Sequence, residues 1–287
     1  MDSGSLGIIA GKGAYPCLLA ASARKQGVQR LVAVAFKKET DPAIQKLVDE
    51  TIWLHVGQLA KLLEAFQQRG VKQVVMAGQI TPTHLFRVRP DSRMIQLLAG
   101  LNQRNAHTIF GAVGDALQEV GVELKPASLF MESAMPEAGV LTRRRPTEAE
   151  QQDIELGLHV ARTTSRLDIG QTVVIKQGTI LAVEAFEGTD RTIRRAAKLG
   201  GPGIVVVKAA KPGHDMRFDI PVVGMRTLKL LGKRRAGVLA VQAGRSILLE
   251  QSRLIEAADR FGICITVVPV DEAGGDADRP SGEVQDG

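Results

Sequence analysis

Three short acid-bearing stretches in the second half of the chain carry residue types suited to metal-assisted chemistry. They are Arg166-Leu167-Asp168-Ile169-Gly170-Gln171, Glu184-Ala185-Phe186-Glu187-Gly188-Thr189-Asp190, and Arg217-Phe218-Asp219-Ile220-Pro221. Each lies where an apolar run begins or ends. Carboxylates at element ends are what a Mg²⁺ site needs, because Mg²⁺ takes one or two carboxylates and completes its shell with water and substrate phosphate oxygens. Glu184, Glu187, Asp190 and Asp219 are therefore candidate metal ligands. Each acid also has a plain structural use: Asp190 can cap a helix, Asp168 can hold a turn, and Arg217 can pair with Asp219. Glu184 is the odd one, an acid within an apolar strand pattern that needs solvent or a partner. Cations accompany the acids. Lys208, Lys211 and His214 precede Asp219, and Arg191, Arg194 and Arg195 follow Asp190. Lys and Arg beside developing phosphate charge stabilise phosphoryl transfer. Lys208 ends a buried strand pattern, where a charge seldom sits idle.

Two glycine-bearing motifs lie in the first half. Gly11-Lys12-Gly13-Ala14-Tyr15-Pro16 follows an apolar run, and Gly78-Gln79-Ile80-Thr81-Pro82 follows another. Glycines let backbone approach a phosphate closely, and a helix N-terminus offers free N–H groups. Gly11, Gly13, Gly78, Gln79 and Thr81 are thus candidate substrate contacts, although both motifs also read as tight turns. The dinucleotide fingerprint is incomplete: Pro16 replaces its third Gly, and Lys37-Lys38 stand where an acid should meet the ribose. His55, His84, His107 and His159 show no metal-ligand spacing.

The elements that must position these residues alternate. The runs LGIIAG, LVAVAF, IWLHVG and KQVVMAG read as buried strands, separated by helices from Pro16, from Asp41-Pro42 and from Gln58. That order implies a parallel sheet covered on both faces. The stretch from Asp91 to Gly121 reads as helical with a break at 102–106. Its apolar residues, Met94, Ile95, Leu97, Leu98, Ile109 and Phe110, serve a core or line an apolar groove. Near Val140 the character changes, and Thr147 with Glu150 forms a capping-box pattern. Further on, Gln177-Gly178 joins two strand patterns as a hairpin, and a helix follows Thr189-Asp190. The strand GIVVVK comes next, then LAVQ, SILLE and CITVV. The reading is an α/β protein of two domains, an N-terminal Rossmann-like parallel sheet over 1–140 and a C-terminal mixed α/β domain over 141–270. An acidic tail over 271–287 has little to bury and reads as disordered.

Composition narrows the partners. The net charge is +6, yet the tail holds six acids against one Arg, a balance of −5 that leaves +11 on the rest. A basic body suits an anionic partner. Aromatics at 3% are too few for the stacking platforms of single-strand nucleic-acid binders. Cys17 and Cys264 belong to no metal or disulfide pattern. No apolar run reaches a membrane span, and the N-terminus lacks a basic leader, so the expected place is the cytoplasm with peripheral contact at the inner membrane.

The motif order GxGxxP, MAGQITP, SRLDIGQTVVIKQGTILAVEAFEGTDRTIRRA, KAAKPGHDMRFDIPVVG and LAVQAGRSILLE resembles the UDP-2,3-diacylglucosamine pyrophosphatase family of lipid A synthesis, the LpxI type. The likeness runs to about Val270 and is densest over 167–224. It implies a two-domain enzyme that uses Mg²⁺ to hydrolyse UDP-2,3-diacylglucosamine to UMP and 2,3-diacylglucosamine 1-phosphate (lipid X), with water directed at the sugar-side phosphorus. By the same resemblance Asp219 is the critical acid, while Glu184, Glu187, Thr189, Asp190 and the glycines contact metal or substrate. Lys208 joins Asp219 as a catalytic candidate. The family's acidic pair falls where this chain reads Asn105-Ala106-His107-Thr108, a departure from the pattern. The expected partners are a UDP-linked lipid and a second copy in a homodimer, with no nucleic acid. The alternative is a nucleotide-sugar or lipid-precursor binding protein without turnover.

Overall fold

A computed structural model describes residues 4–80, 90–167, 169–210, 215–218 and 220–270. Asp219, Thr81, Asp168, Lys211, His214, His84 and the acidic tail lie outside the described residues. The first sheet has five parallel strands: β1 (Ser5–Ala10), β2 (Arg30–Phe36), β3 (Glu50–Leu54), β4 (Gln73–Ala77) and β5 (Glu123–Lys125), in the order β3-β2-β1-β4-β5. The central strands β1, β2 and β4 are apolar beyond their first residues because both faces are covered. On one face Leu6, Ile8 and Ala10 pack with Leu19, Ala20 and Ala23 of α1 (Tyr15–Lys25). On the other, Ile9, Val32 and Val34 meet α2 (Leu59–Gln67), α3 (Ser92–Ala99) and α4 (Ala106–Glu119).

Helix starts follow the residue chemistry. Pro16 sits in the first turn of α1, where a missing N–H costs nothing. The Asp91 carboxylate caps α3 by accepting from the Met94 N–H, and the Asn105 side chain caps α4 by accepting from the Thr108 N–H. The helix expected after Asp41-Pro42 is only a 3-10 segment, Pro42–Lys46. Asp41 starts it, but strand β3 begins at Glu50 and leaves no room for more turns.

The second sheet has six strands: β6 (Gly139–Val140), β7 (Thr172–Lys176), β8 (Thr179–Val183), β9 (Val205–Lys208), β11 (Val238–Gln242) and β13 (Cys264–Val268). Their order is β6-β13-β11-β9-β7-β8, with β9, β11 and β13 parallel and the flanking strands antiparallel. The chain enters this sheet at Gly139. Helix α5 (Glu148–Arg166) covers one face, and its capping box between Thr147 and Glu150 is formed in full. Helices α6 (Thr189–Gly200), α7 (Met225–Lys233) and α8 (Gln251–Phe261) cover the other, burying Ile193, Leu228 and Leu254. The hairpin turn at Gln177-Gly178 has both residues at positive φ, 49° and 74°, as a type I′ turn requires.

SILLE, read as a strand of the second domain, supplies only β12 (Ile247–Leu248), which pairs with β10 (Val222–Val223) apart from either large sheet. The reason is burial. Ile220, Ile247 and Leu249 join the core cluster of α1 and the first sheet. The two halves are thus locked together by a segment that belongs in sequence to the second. Among the described residues, no helix is long and apolar enough to cross a membrane.

The two glycine motifs sit side by side at the carboxyl ends of β1 and β4, and they interlock. Lys12 and Gln79 exchange two backbone hydrogen bonds, 2.7 and 3.1 Å, and the Gly11 N–H donates to the Ala77 carbonyl at 2.7 Å. Gly78 has φ +87°, and a Cβ there would lie 2.7 Å from the Lys12 carbonyl oxygen. A Gly78→Ala substitution should therefore destabilise the protein by about 1–3 kcal/mol from the left-handed backbone alone, read as a lower urea midpoint. An unchanged midpoint would show that the interlock is not formed.

Candidate functional site

In open α/β sheets, polar groups gather usefully at the carboxyl ends of parallel strands, where no further backbone pairing covers them. Lys208 ends β9 at such a point and is only 7% exposed. Across the antiparallel pair its register partner is Thr172, the first residue of β7 and wholly buried. Beside Lys208, β11 ends on Gln242, also buried, whose side-chain oxygen accepts from the Ala210 N–H at 2.7 Å.

The buried ammonium is partnered through a hydroxyl. Lys208 Nζ donates to Thr189 Oγ1 at 3.0 Å, and the Thr189 hydroxyl donates to Glu184 Oε1 at 2.9 Å. Thr172 Oγ1 lies 3.4 Å from Thr189 Oγ1. The other carboxylate oxygen, Glu184 Oε2, is buried without a hydrogen-bond partner among the described residues. Gly170 backs this acid, since a Cβ there would collide with the Glu184 carbonyl and Cβ. The helix that presents Thr189 begins at Gly188, φ +82°, with no side-chain cap, so its positive end is open to an anion. Cation, carboxylate, hydroxyl and helix terminus thus converge in one place.

The neighbouring acids are held differently. Glu187 accepts from Arg195 at 2.6 Å. Burial alone would raise its pKa, but Arg195 and two backbone N–H groups hold the carboxyl below its ordinary value. Asp190 does not cap α6; it pairs with Arg226 of α7 at 2.7 Å. Among the described residues, no three His, Cys, Asp or Glu side chains come together as a metal site. A Mg²⁺ bound mainly by substrate phosphates needs only one or two carboxylates. The orphaned Glu184 Oε2 fits that requirement as one ligand, whereas Glu187 and Asp190 are engaged by arginines.

Of the residues singled out in the sequence, Lys208, Thr189 and Glu184 meet directly, with Glu187 and Asp190 next to them on the same loop and helix. Gly11, Gly78 and Gln79 serve each other as described above, and Gly13, at φ +100°, is exposed with open space at its Cβ. Thr172 and Gln242 escaped notice in the sequence. Their signal was a polar residue at the edge of an otherwise apolar strand.

A second group lies at the junction of the halves. Arg217 grips Asp215 through both carboxylate oxygens, 2.6 to 3.0 Å, and a pairing of Arg217 with Asp219 falls outside the described residues. The Phe218 ring rests against His107 (centroids 5.6 Å) and Phe110 (6.0 Å) of α4. The segment lies close against α4: a Cβ on Gly114 would sit in van der Waals contact with the Arg217 guanidinium at 3.5 Å, and one on Gly111 with Phe218 at 4.0 Å. The residues just before Asp219 are thereby seated on the helix that starts at the Asn105-to-Thr108 departure. The apolar groove expected along α3 and α4 is mostly core. A cavity of about 50 Å³ remains, lined by Met76, Met94, Ile109, Phe110 and Val113 among others.

The fold and site define a two-domain α/β protein with a buried polar cluster at the carboxyl edge of its second sheet. Residues 5–134 match the LpxI N-terminal domain and residues 137–266 the LpxI C-terminal domain, and the chain belongs to the LpxI family. A protein of Caulobacter vibrioides named UDP-2,3-diacylglucosamine pyrophosphatase LpxI is 29% identical over 282 residues, 93% of this chain and 98% of that relative. Solved structures overlap weakly. The biotin carboxylase domain of Hydrogenobacter thermophilus 2-oxoglutarate carboxylase gives a TM-score of 0.28 at 11% identity, over 67% of this chain and 40% of that one. The Campylobacter jejuni biotin carboxylase gives 0.23 at 10%, over 68% and 41%.

The hydrogen bond from Arg217, with a further contribution from His107, holds the Asp215 carboxyl below its ordinary value of 3.8. A depressed carboxylate pKa stabilises the fold above the unfolded value, and that contribution is lost as pH falls through the folded one. Asp215→Asn should therefore lower thermal stability at neutral pH, with the gap to wild type closing as the pH drops below 3.8. A gap that persisted into acid would mean that charge pairing is not what Asp215 contributes.

Proposed function

We propose that this protein is an enzyme that hydrolyses the pyrophosphate of UDP-2,3-diacylglucosamine to UMP and 2,3-diacylglucosamine 1-phosphate, as a step of lipid A biosynthesis. The observation that carries the reading is the Lys208–Thr189–Glu184 cluster at the open start of α6. It lies in a chain matched along almost its whole length by a relative named for that substrate.

The chemistry needs an anion held still while charge moves. Water adds to one phosphorus, the bridging P–O bond breaks, and the bridging oxygen leaves on the other phosphate. Lys208, fixed by its strand and by Thr189, faces that charge with little solvent to screen it. The N–H groups at the start of α6 hold a phosphate oxygen. Glu184 Oε2 and Asp219 would hold Mg²⁺, which when bound neutralises pyrophosphate charge and orients its oxygens. The role of Asp219 rests on its place in the FDIP block. Leu167, Ile169 and Phe186, exposed by 70%, 40% and 63%, stand on the loops around Glu184 and offer an apolar rim to acyl chains.

The test is release of UMP from UDP-2,3-diacylglucosamine, with Mg²⁺ and with EDTA, by wild type, Asp219→Ala, Glu184→Gln and Lys208→Met. Wild type should turn over only with the metal, and each variant should lose at least about a hundredfold in kcat, the scale of losing one preorganised charge contact. Binding of the lipid by folded wild type without any UMP release would instead establish a binding protein.

A further inference from the structure

Helices α6 and α7 carry seven cations and a single acid. The cations are arranged by helical period rather than scattered. Arg191, Arg194, Arg195 and Lys198 share the outer face of α6, opposite buried Thr192, Ile193 and Ala196. Arg226, Lys229 and Lys233 recur at three- and four-residue steps on α7, opposite Leu228 and Leu231. The single acid, Asp190, is taken up by Arg226. Like charges in this density repel, and a helix pair whose only task was to cover the sheet would be more stable with mixed signs. Folding does not explain the two rows.

Between them runs a trench of about 420 Å³ lined by Arg194, Met225, Arg226, Lys229, Leu230 and Lys233. Its walls are cationic, and it includes two apolar side chains. Leu199 continues the Arg191–Arg195 row at the next four-residue step and is 67% exposed. At the other end of α6, the exposed Phe186 stands just before the helix. Basic rows interleaved with exposed apolar side chains match a phospholipid surface, where phosphates meet the cations and short apolar side chains enter the interface. A nucleic acid would satisfy the charges but leave Leu199 in water.

We infer that the α6–α7 face docks on an anionic phospholipid bilayer, with lipid phosphates seated in the trench of Arg194, Lys229 and Lys233. The Asp190–Arg226 ion pair joins this trench to the Thr189 cluster, so docking places the candidate site beside the membrane. The inference stands apart from the proposed reaction, because membrane binding is read without turnover.

The experiment is co-sedimentation of the full chain with vesicles of phosphatidylcholine alone and of phosphatidylcholine with phosphatidylglycerol, at low and high salt. Wild type should bind only the anionic vesicles and release as salt screens the charges. The triple variant R194E/K229E/K233E should bind about a hundredfold more weakly, since each cation at a membrane surface contributes about fivefold. Its circular dichroism melt should match wild type, and K229E should release UMP from detergent-dispersed substrate at the wild-type rate. A single reversal, K229E, gives an intermediate loss and guards against a misfolded triple variant. Leu199→Ser should weaken vesicle binding and leave binding to a DNA duplex, measured alongside, unchanged. Equal binding by wild type and K229E, no binding of wild type to anionic vesicles, or tighter binding to DNA through the same residues would each overturn the inference.

Discussion

A lysine buried at the end of a strand constrains everything around it. An ammonium removed from water costs several kcal/mol unless it is partnered, and Lys208 is nearly closed off by β7, β11 and the start of α6. The fold answers with a hydroxyl that accepts from the ammonium and donates to a carboxylate. This arrangement leaves Glu184 with one oxygen satisfied and one unsatisfied. The unsatisfied oxygen is tolerable where a cation or a polar ligand completes it. Structural necessity and chemical capacity therefore reside in the same three side chains.

The second half alone does not make the site's surroundings. The β10–β12 pair sends Ile247 into the core of the first half and Val223 and Leu248 into that of the second, and Phe218 rests on α4. Gly111 and Gly114 face that contact on α4. The first half thus acts as a bed for Phe218 and Ile220, while its own glycine loops bond chiefly to each other.

Arginine pairing separates acids that look equivalent in the EGTD block. Glu184, Glu187 and Asp190 lie within seven residues, yet they point to three different partners: a threonine, Arg195 and Arg226. Asp190 reaches α7 because α6 and α7 pack side by side on one face of the sheet. That same adjacency brings their cation rows together and creates the trench. One packing event thereby fixes both the fate of an acid and the charge of a surface.

Local chemistry made much of this protein legible in its residues. Apolar runs bounded by Gly and Pro marked β1, β2, β4, β9 and β13, because strands buried on both faces need continuous apolar sequence. Thr147 with Glu150 marked the start of α5, and Gln177-Gly178 marked the hairpin, since caps and turns depend on neighbours in sequence. The order of motifs carried the family, and the isolated acid Glu184 and the strand-ending Lys208 announced a polar site. Tertiary structure alone decided which of those residues touch. Thr172 and Gln242 gained significance only through register, Gly11 and Gly78 through the adjacency of β1 and β4, and Asp190 through a helix 35 residues further on in the chain. SILLE pairs only with β10 because its apolar side chains are divided, Ile247 and Leu249 entering the core of the first half and Leu248 that of the second. The reason is common to all of these: hydrogen bonds and burial between distant segments depend on distances that no spacing along the chain encodes.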